Sequence, residues 1–285
     1  MLKFFYPISL TFLFIIFCNI AFASTYQTSD GRLISYTDIG HGKPLVLIHA
    51  FPTDQQLWHP QQQALKQKFR VITLDLWGFG RSSAVNGQAV SMTDYADEII
   101  QLLDQLHIKK AIIAGESMGG YIALALLAKN PDKIDGLVLS DTQSIADTEE
   151  IKAKREAAAT DVLEHGTNQL IQNFMSKALS PEAPVSTKKF LQKILETQTP
   201  TAIASALRGM ALRSDTSNLL SNTQLPILII TGDQDTLISP QQSQHMHALA
   251  RNSKLAIITH AAHLSSLEQS EQWNHTIITM FFDRK

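Results

Sequence analysis

Residues Ala111 to Ala125, AIIAGESMGGYIALA, constrain this chain more than any other stretch. A β-branched apolar run, with Ile112 and Ile113, reads as a buried strand. It breaks at Gly115-Glu116-Ser117-Met118-Gly119 and resumes as a helical pattern from Tyr121 to Lys129. A strand that becomes a helix across Gly-x-Ser-x-Gly needs a sharp, strained turn with the serine at its apex. Gly115 and Gly119 suit that turn because side chains two positions either side of the serine would clash. The turn presents the Ser117 hydroxyl at the carboxyl end of its strand, where open α/β sheets place their sites. A glycine-rich strand-to-helix turn occurs in other doubly wound proteins too, so the serine's role has to come from the rest of the chain.

The flanking sequence alternates strands and helices. Strands are expected at Leu33–Thr37, Leu45–Ile48, Val71–Asp75, Gly136–Asp141, Pro226–Gly232 and Leu255–Ile258. Most are continuous apolar runs, as a strand covered on both faces of a parallel sheet requires. Helices are expected from Leu57 to Phe69, from Ser91 to His107, from Pro240 to Ala250, and in a last amphipathic stretch ending near Phe282. Between Ser144 and Asp215 the strands stop. Four helical patterns replace them: Glu149–His165 closing on Gly166, Asn168–Leu179, Ser186–Thr197 and Pro200–Leu212, the last with proline in its first turn. The reading is an α/β fold with a doubly wound, mostly parallel sheet and an inserted helical cap. The boundaries fall at 24–142 for the first half of the core, 143–216 for the cap and 217–285 for the second half.

At 285 residues the chain is long enough for one large domain with an insertion. Its formal net charge is -2 and it has no dense Lys/Arg block, which speaks against nucleic acid or an anionic membrane surface as partner. Residues 1–23 read as an export signal: Lys3, an apolar run from Phe4 to Phe17, then Ala21-Phe22-Ala23 with cleavage after Ala23. The run is broken by Pro7, Ser9 and Asn19 and is short against the roughly 20 apolar residues of a membrane span. A periplasmic or secreted location is expected, with no stable span after cleavage. Cys18, the sole cysteine, falls in that segment, so the mature chain has no disulfide and no cysteine metal site. Oligomeric state is not readable from the sequence.

Ser117 becomes a nucleophile only if a base takes its proton and a third group orients that base. Two histidines follow the last strand. His260 sits almost against the strand, and His263, three residues further on, is better placed to swing over the sheet end. Thr231-Gly232-Asp233-Gln234-Asp235 offers the acid: Asp235 lies deeper in its loop, and Asp233 suits a turn-holding role. Asp141, directly after the strand that follows the elbow, competes with Asp235. Charge developing on an attacked carbonyl oxygen needs fixed donors. The amide of Met118 at the helix start and that of Phe51, after the strand ending at His49, are the positional candidates; His49 itself reads as a turn brace. No paired histidines at helical spacing, carboxylate cluster or phosphate-binding glycine loop appears in a fitting context, so neither metal nor cofactor is expected. Trp77-Gly78-Phe79-Gly80 lacks the third glycine and helix start of a dinucleotide loop.

The segments PLVLIHAFPTDQQLW, VITLDLWGFGRSS, AIIAGESMGGYIALALLAKNPDKIDGLVLSDT, ILIITGDQDTLISP and HAAHLSSLEQ together resemble the α/β-hydrolase superfamily from Gly31 to Phe282. They are most similar to its capped branch of small-molecule serine esterases, enol-lactonases, carbon–carbon bond hydrolases and cofactor-free perhydrolases. The resemblance implies Ser117 as nucleophile, Asp235 as acid, His263 as base, and the Phe51 and Met118 amides as oxyanion donors. Ala50 and Ala262 stand where that family usually has glycine. The implied activity is hydrolysis of a small ester or lactone through an acyl-enzyme. Carbon–carbon hydrolysis or perhydrolysis with the same triad is the alternative, and a binding protein without turnover is a further one. Arg208 and Arg213 are candidates for holding a carboxylate substrate, and Phe174, Met175, Phe190, Leu207 and Met210 for lining the pocket.

Overall fold

The computed structural model describes residues 23–283. The expected export signal, with Cys18, lies outside them apart from Ala23. Among the described residues no helix is long and apolar enough to cross a membrane.

Eight strands form one sheet among these residues: β1 Ser24–Gln27, β2 Leu33–Gly40, β3 Lys43–Ile48, β4 Phe69–Leu74, β5 Ala111–Glu116, β6 Ile134–Ser140, β7 Ile227–Gly232 and β8 Ser253–Ile258. Their order is β1-β2-β4-β3-β5-β6-β7-β8. β1 and β2 pair antiparallel with their neighbours, and the six strands from β4 to β8 run parallel. The expectation of a doubly wound, mostly parallel sheet holds.

Alternation along each strand explains the two layers around the sheet. Leu45 and Leu47 face one core with Ile112, Ala114, Val138, Leu228 and Ile230, while Val46 and Ile48 face the other with Ile113, Leu137, Leu139 and Ile229. Successive side chains on a strand point to opposite faces, so apolar runs seal both sides at once. One face is covered by α1 His59–Leu65 and α11 Ser270–Phe281, through Leu65, Trp273 and Ile277. The other is covered by α2 Met92–Gln105 and α3 Met118–Lys129, through Ile99, Leu103, Ile122 and Leu126. The α2 start is fixed by a capping box, in which Ser91 Oγ accepts from the Asp94 amide and Asp94 from that of Ser91.

From β6 to β7 the chain contains only helices: α4 Glu149–His165, α5 Asn168–Ala178, α6 Val185–Glu196, α7 Pro200–Ala211 and α8 Ser217–Asn222. The first four lie within a residue of the expected spans, and α8 adds a fifth that the pattern does not announce. The helix expected at Leu57–Phe69 is shorter. A 3-10 turn at Gln55–Trp58 precedes α1, and Phe69 opens β4, level with Lys43 of β3. Phe69 is fully buried there, and tertiary burial overrides the helical pattern. α9 Pro240–Leu249 connects β7 to β8, after which a short α10 Ser265–Glu268 leads into α11.

Candidate active site

The parallel register brings the ends of β3, β5, β6 and β7 level: Ile48 opposes Gly115, Glu116 opposes Ser140, and Ser140 opposes Ile230. The loops that leave these ends carry the candidate residues. Ser117 stands between β5 and α3 with φ 55° and ψ −114°, a strained conformation for a residue with a Cβ. A Cβ on Gly115 would run into the Gly119 carbonyl, and one on Gly119 into the Ile48 carbonyl. The absence of those atoms lets α3 start tightly against β3. The Ser117 amide donates to the Ser140 carbonyl at 2.8 Å, and the Thr142 hydroxyl donates to the Ser117 carbonyl at 2.8 Å, clamping the turn from β6.

Ser117 Oγ lies 2.8 Å from His263 Nε2, and His263 Nδ1 lies 2.9 Å from Asp235 Oδ2. The second contact fixes the tautomer, since an ionised carboxylate can only accept and Nδ1 must therefore carry the hydrogen; Nε2 is then left to accept from the serine hydroxyl. Asp235 is aimed by the Leu237 and Ile238 amides, which donate to its Oδ1 at 2.8 and 2.9 Å. All three side chains are buried. Burial alone would lower the His263 pKa, but the Asp235 charge and hydrogen bond, with Asp141 adding to them, outweigh it and leave a net rise. The site therefore favours an imidazolium once the ring takes a proton.

His260 is exposed, has a left-handed φ of 58°, and offers its carbonyl to Gln269. Asp233 is exposed too and accepts from the Ala261 amide at 3.3 Å, which holds the turn. His49 bridges two loops: Nδ1–H donates to the Ala50 carbonyl at 3.0 Å and Nε2 accepts from the Leu76 amide at 3.1 Å. Burial lowers its pKa, so it is a neutral brace. Asp141 is buried below the relay, where its Oδ1 accepts from the Gly232 amide at 2.7 Å. Met118 is the first residue of α3, and Phe51 lies in the loop that leaves β3, three residues beyond Ile48. Neither amide donates to a protein acceptor among the described residues. Ala50 and Ala262 are both buried, and the relay distances are formed with their methyl groups present.

The candidate pocket residues separate. Phe174 of α5 stands edge-on to His263, ring centroids 6.4 Å apart. Leu207 and Met210 belong to the core, and Phe190 lines a separate cleft of about 600 Å³ beside Asp54 and Asp75. Arg208 is engaged by Glu156 and the Gly87 carbonyl, and Arg213 by Asp147 and the Ile145 carbonyl. Neither arginine is a free anchor for a substrate carboxylate. Among the described residues no group of three or more His, Cys, Asp or Glu side chains is gathered as a metal ion would need.

Two carboxylates carry no clear signal in the sequence. Glu268 accepts from the Ala262 amide at 3.0 Å and from the Ser180 amide and hydroxyl. It thereby ties the His263 loop to the end of α5, as does the Leu264 amide bonded to the Ala178 carbonyl at 2.9 Å. Glu116 is buried at the end of β5. Its one sign in the sequence is a charge at the end of an apolar strand.

The sequence profile of the alpha/beta hydrolase fold matches residues 43–270. A dihydrolipoyllysine-residue acetyltransferase component of the acetoin cleaving system from Pseudomonas putida is 28% identical over 87% of this chain, which spans 66% of that longer protein. The 3-oxoadipate enol-lactonase 1 of Acinetobacter baylyi is 27% identical over 80% of this chain and 85% of its own length. A thermophilic esterase from Thermogutta terrifontis superposes with a TM-score of 0.87 at 29% identity, covering 91% of this chain and 97% of that one. With the profile spanning well over half of its length, the chain belongs to the α/β-hydrolase fold family.

Proposed function

We propose that this protein is a serine hydrolase that cleaves a small carboxylic ester or lactone through an acyl-enzyme. The observation that carries the reading is the continuous Ser117–His263–Asp235 relay, with contacts of 2.8 and 2.9 Å. His263 Nε2 takes the Ser117 proton as the oxygen attacks the carbonyl, and Asp235 stabilises the imidazolium through Nδ1–H. The Phe51 and Met118 amides hold the oxyanion, helped by the positive end of α3. The imidazolium then protonates the leaving alkoxide. Water activated by the same ring releases the acid and restores the serine.

The enol-lactonase and the esterase among the similar proteins support the substrate class. The buried serine, with Phe174 against the base, supports a small substrate. Helices α4–α7, residues 143–216, are proposed as the cap that shapes the acceptor. The pattern of residues 1–23 supports export, and recovery of protein beginning at Ser24 from outside the cytoplasm tests it. The activity is tested with a short-chain p-nitrophenyl ester and the Ser117→Ala variant. Turnover lost in the variant is expected; equal rates in both proteins would remove Ser117 from its role.

A further inference from the structure

Of the two amides proposed to hold the oxyanion, one is placed by a helix and the other by a loop. Met118 opens α3, and the turn before it is clamped to β6 by the Ser140 carbonyl and the Thr142 hydroxyl. Phe51 lies in the loop that leaves β3, in no helix or strand. A loop peptide can rotate about the single bonds on either side of it, and its N–H swings with it. The aim of the Phe51 N–H therefore depends on what holds the peptide unit that contains it.

That unit joins the Ala50 carbonyl to the Phe51 amide. Its C=O and N–H lie in one plane and point in opposite directions, as in any trans peptide. Three donors converge on the Ala50 oxygen. The Thr53 amide donates at 2.9 Å, the Thr53 hydroxyl at 2.8 Å and His49 Nδ1–H at 3.0 Å. His49, Ala50 and Thr53 are all fully buried, so water does not compete for that oxygen.

The turn amide alone would engage the carbonyl. The two side-chain donors add direction, because a plane held from several sides cannot turn. They also draw electron density toward the oxygen, which makes the N–H at the other end of the unit a stronger donor. His49 is held in its turn. Its Nε2 accepts from the Leu76 amide at 3.1 Å, and Phe79 stands edge-on to the ring with centroids 5.4 Å apart. The brace thus runs from the loop after β4 to the loop after β3.

We infer that Thr53 and His49 are positioning residues for the oxyanion, acting through the Ala50–Phe51 peptide to preset the Phe51 N–H. The inference rests on the serine-hydrolase reading. A donor already in place needs no reorganisation when charge appears on the attacked carbonyl oxygen. Binding of the uncharged ester draws little on it, so the brace is felt in kcat more than in KM.

The test pairs hydrolysis of the p-nitrophenyl ester with inhibition by a short-chain trifluoromethyl ketone, in the full chain and its variants. Ser117 Oγ adds to the ketone carbon, the serine proton passes to His263 Nε2, and the ketone oxygen takes the negative charge. The inhibition constant therefore reads the oxyanion site with no leaving group involved. Thr53→Val keeps the shape of the side chain and the turn amide but lacks the hydroxyl. It should lower kcat about tenfold, leave KM within about twofold, and raise the inhibition constant by about the same tenfold. Thr53→Ser restores the hydroxyl and should return both quantities to within about twofold of wild type.

Two isosteres test His49. Asparagine keeps a donor where Nδ1 stands and gives up the Leu76 bond, whereas glutamine keeps an acceptor where Nε2 stands and gives up the Ala50 bond. His49→Gln should lose more ketone affinity than His49→Asn. A variant that merely folded less well would show a lower kcat with its inhibition constant unmoved. That pattern in Thr53→Val, or no change in either quantity, would overturn the brace. So would His49→Asn losing more ketone affinity than His49→Gln. A wild type that neither hydrolyses the ester nor binds the ketone would instead overturn the serine-hydrolase reading, and the brace with it.

Discussion

At the ends of β5, β6 and β7, Glu116, Asp141 and Asp235 are buried and accept from backbone amides, the first two from a neighbouring loop and Asp235 from its own. Along α4, Glu149 and Glu150 stand in solvent and meet only Lys152 and Lys154, a turn further on. The two regions use the same side-chain chemistry in opposite ways. A buried carboxylate whose donors are removed keeps its full desolvation cost, whereas an exposed one exchanges its partner for water. Chemistry that tolerates little misalignment is therefore carried by strand ends. Asp147 is the exception in the helical segment: it is buried between Arg155 and Arg213 and pins the start of α4 to the end of α7.

The largest effects belong to the strand ends. Ser117→Ala is expected to lower kcat by about 10⁶-fold, as loss of a triad serine does elsewhere. Asp235→Asn should cost about 10⁴-fold, because the Leu237 and Ile238 amides keep the side-chain oxygen at the Oδ1 position, which turns the NH2 toward Nδ1 and leaves the ring in the wrong tautomer. Asp141→Asn should cost far less at neutral pH, since its partners are reached through an isosteric group. Steady-state hydrolysis of one ester ranks the three variants. If Asp141→Asn proves more damaging than Asp235→Asn, the acid moves to the end of β6.

Much of this division is legible in the sequence. The runs Leu45–Ile48 and Ile227–Ile230 announce strands buried on both faces, and the loops beyond them hold Phe51 and Asp235. The helices between β6 and β7 are readable because Gly166, Pro181 and Pro200 punctuate them. What stays hidden is tertiary. Phe174 and Phe190 look alike in sequence, yet one stands on His263 and the other lines a different cleft. Arg208 and Arg213 look available until their partners arrive from residues far along the chain. Glu268 has no local signal, because its donors, Ser180 and Ala262, are assembled only by the fold.

Glu268 tests where the two regions meet. Glu268→Ala would strand the Ser180 and Ala262 amides and loosen α5 from the His263 loop, at a cost of about 1–3 kcal/mol. Denaturant unfolding reads the loss, and a rise in KM together with a fall in kcat would show that the α5 contact is felt at the base. No change in either would confine Glu268 to packing. A smaller effect comes from Glu98, buried on α2 with its Oε1 accepting from the Trp77 amide at 3.2 Å and Arg32 3.5 Å away. Burial raises its pKa to about 8, against an ordinary value of 4.5. The folded protein holds this proton where the unfolded chain has lost it. The stability it supports is complete below about pH 4.5 and lost as pH rises through about 8. Glu98→Gln should flatten the fall in melting temperature over that window, and an undiminished slope would assign it to other groups.

The smallest expected effect lies in the helical segment. Arg208 and Glu156 join α7 to α4 at 2.6 Å, with side chains 26% and 56% exposed. By distance alone this pair equals the Arg155–Asp147 contact, also 2.6 Å, in which Asp147 is buried. Its exposure decides otherwise, because water solvates both groups almost as well once they part. Salt screens what remains. Arg208 also keeps the Gly87 carbonyl as a partner. Glu156→Gln should therefore cost under about 1 kcal/mol in denaturant unfolding, and less still at high salt. A larger, salt-insensitive loss would mean that the α4–α7 contact is held as the strand ends are, by charges that cannot return to water.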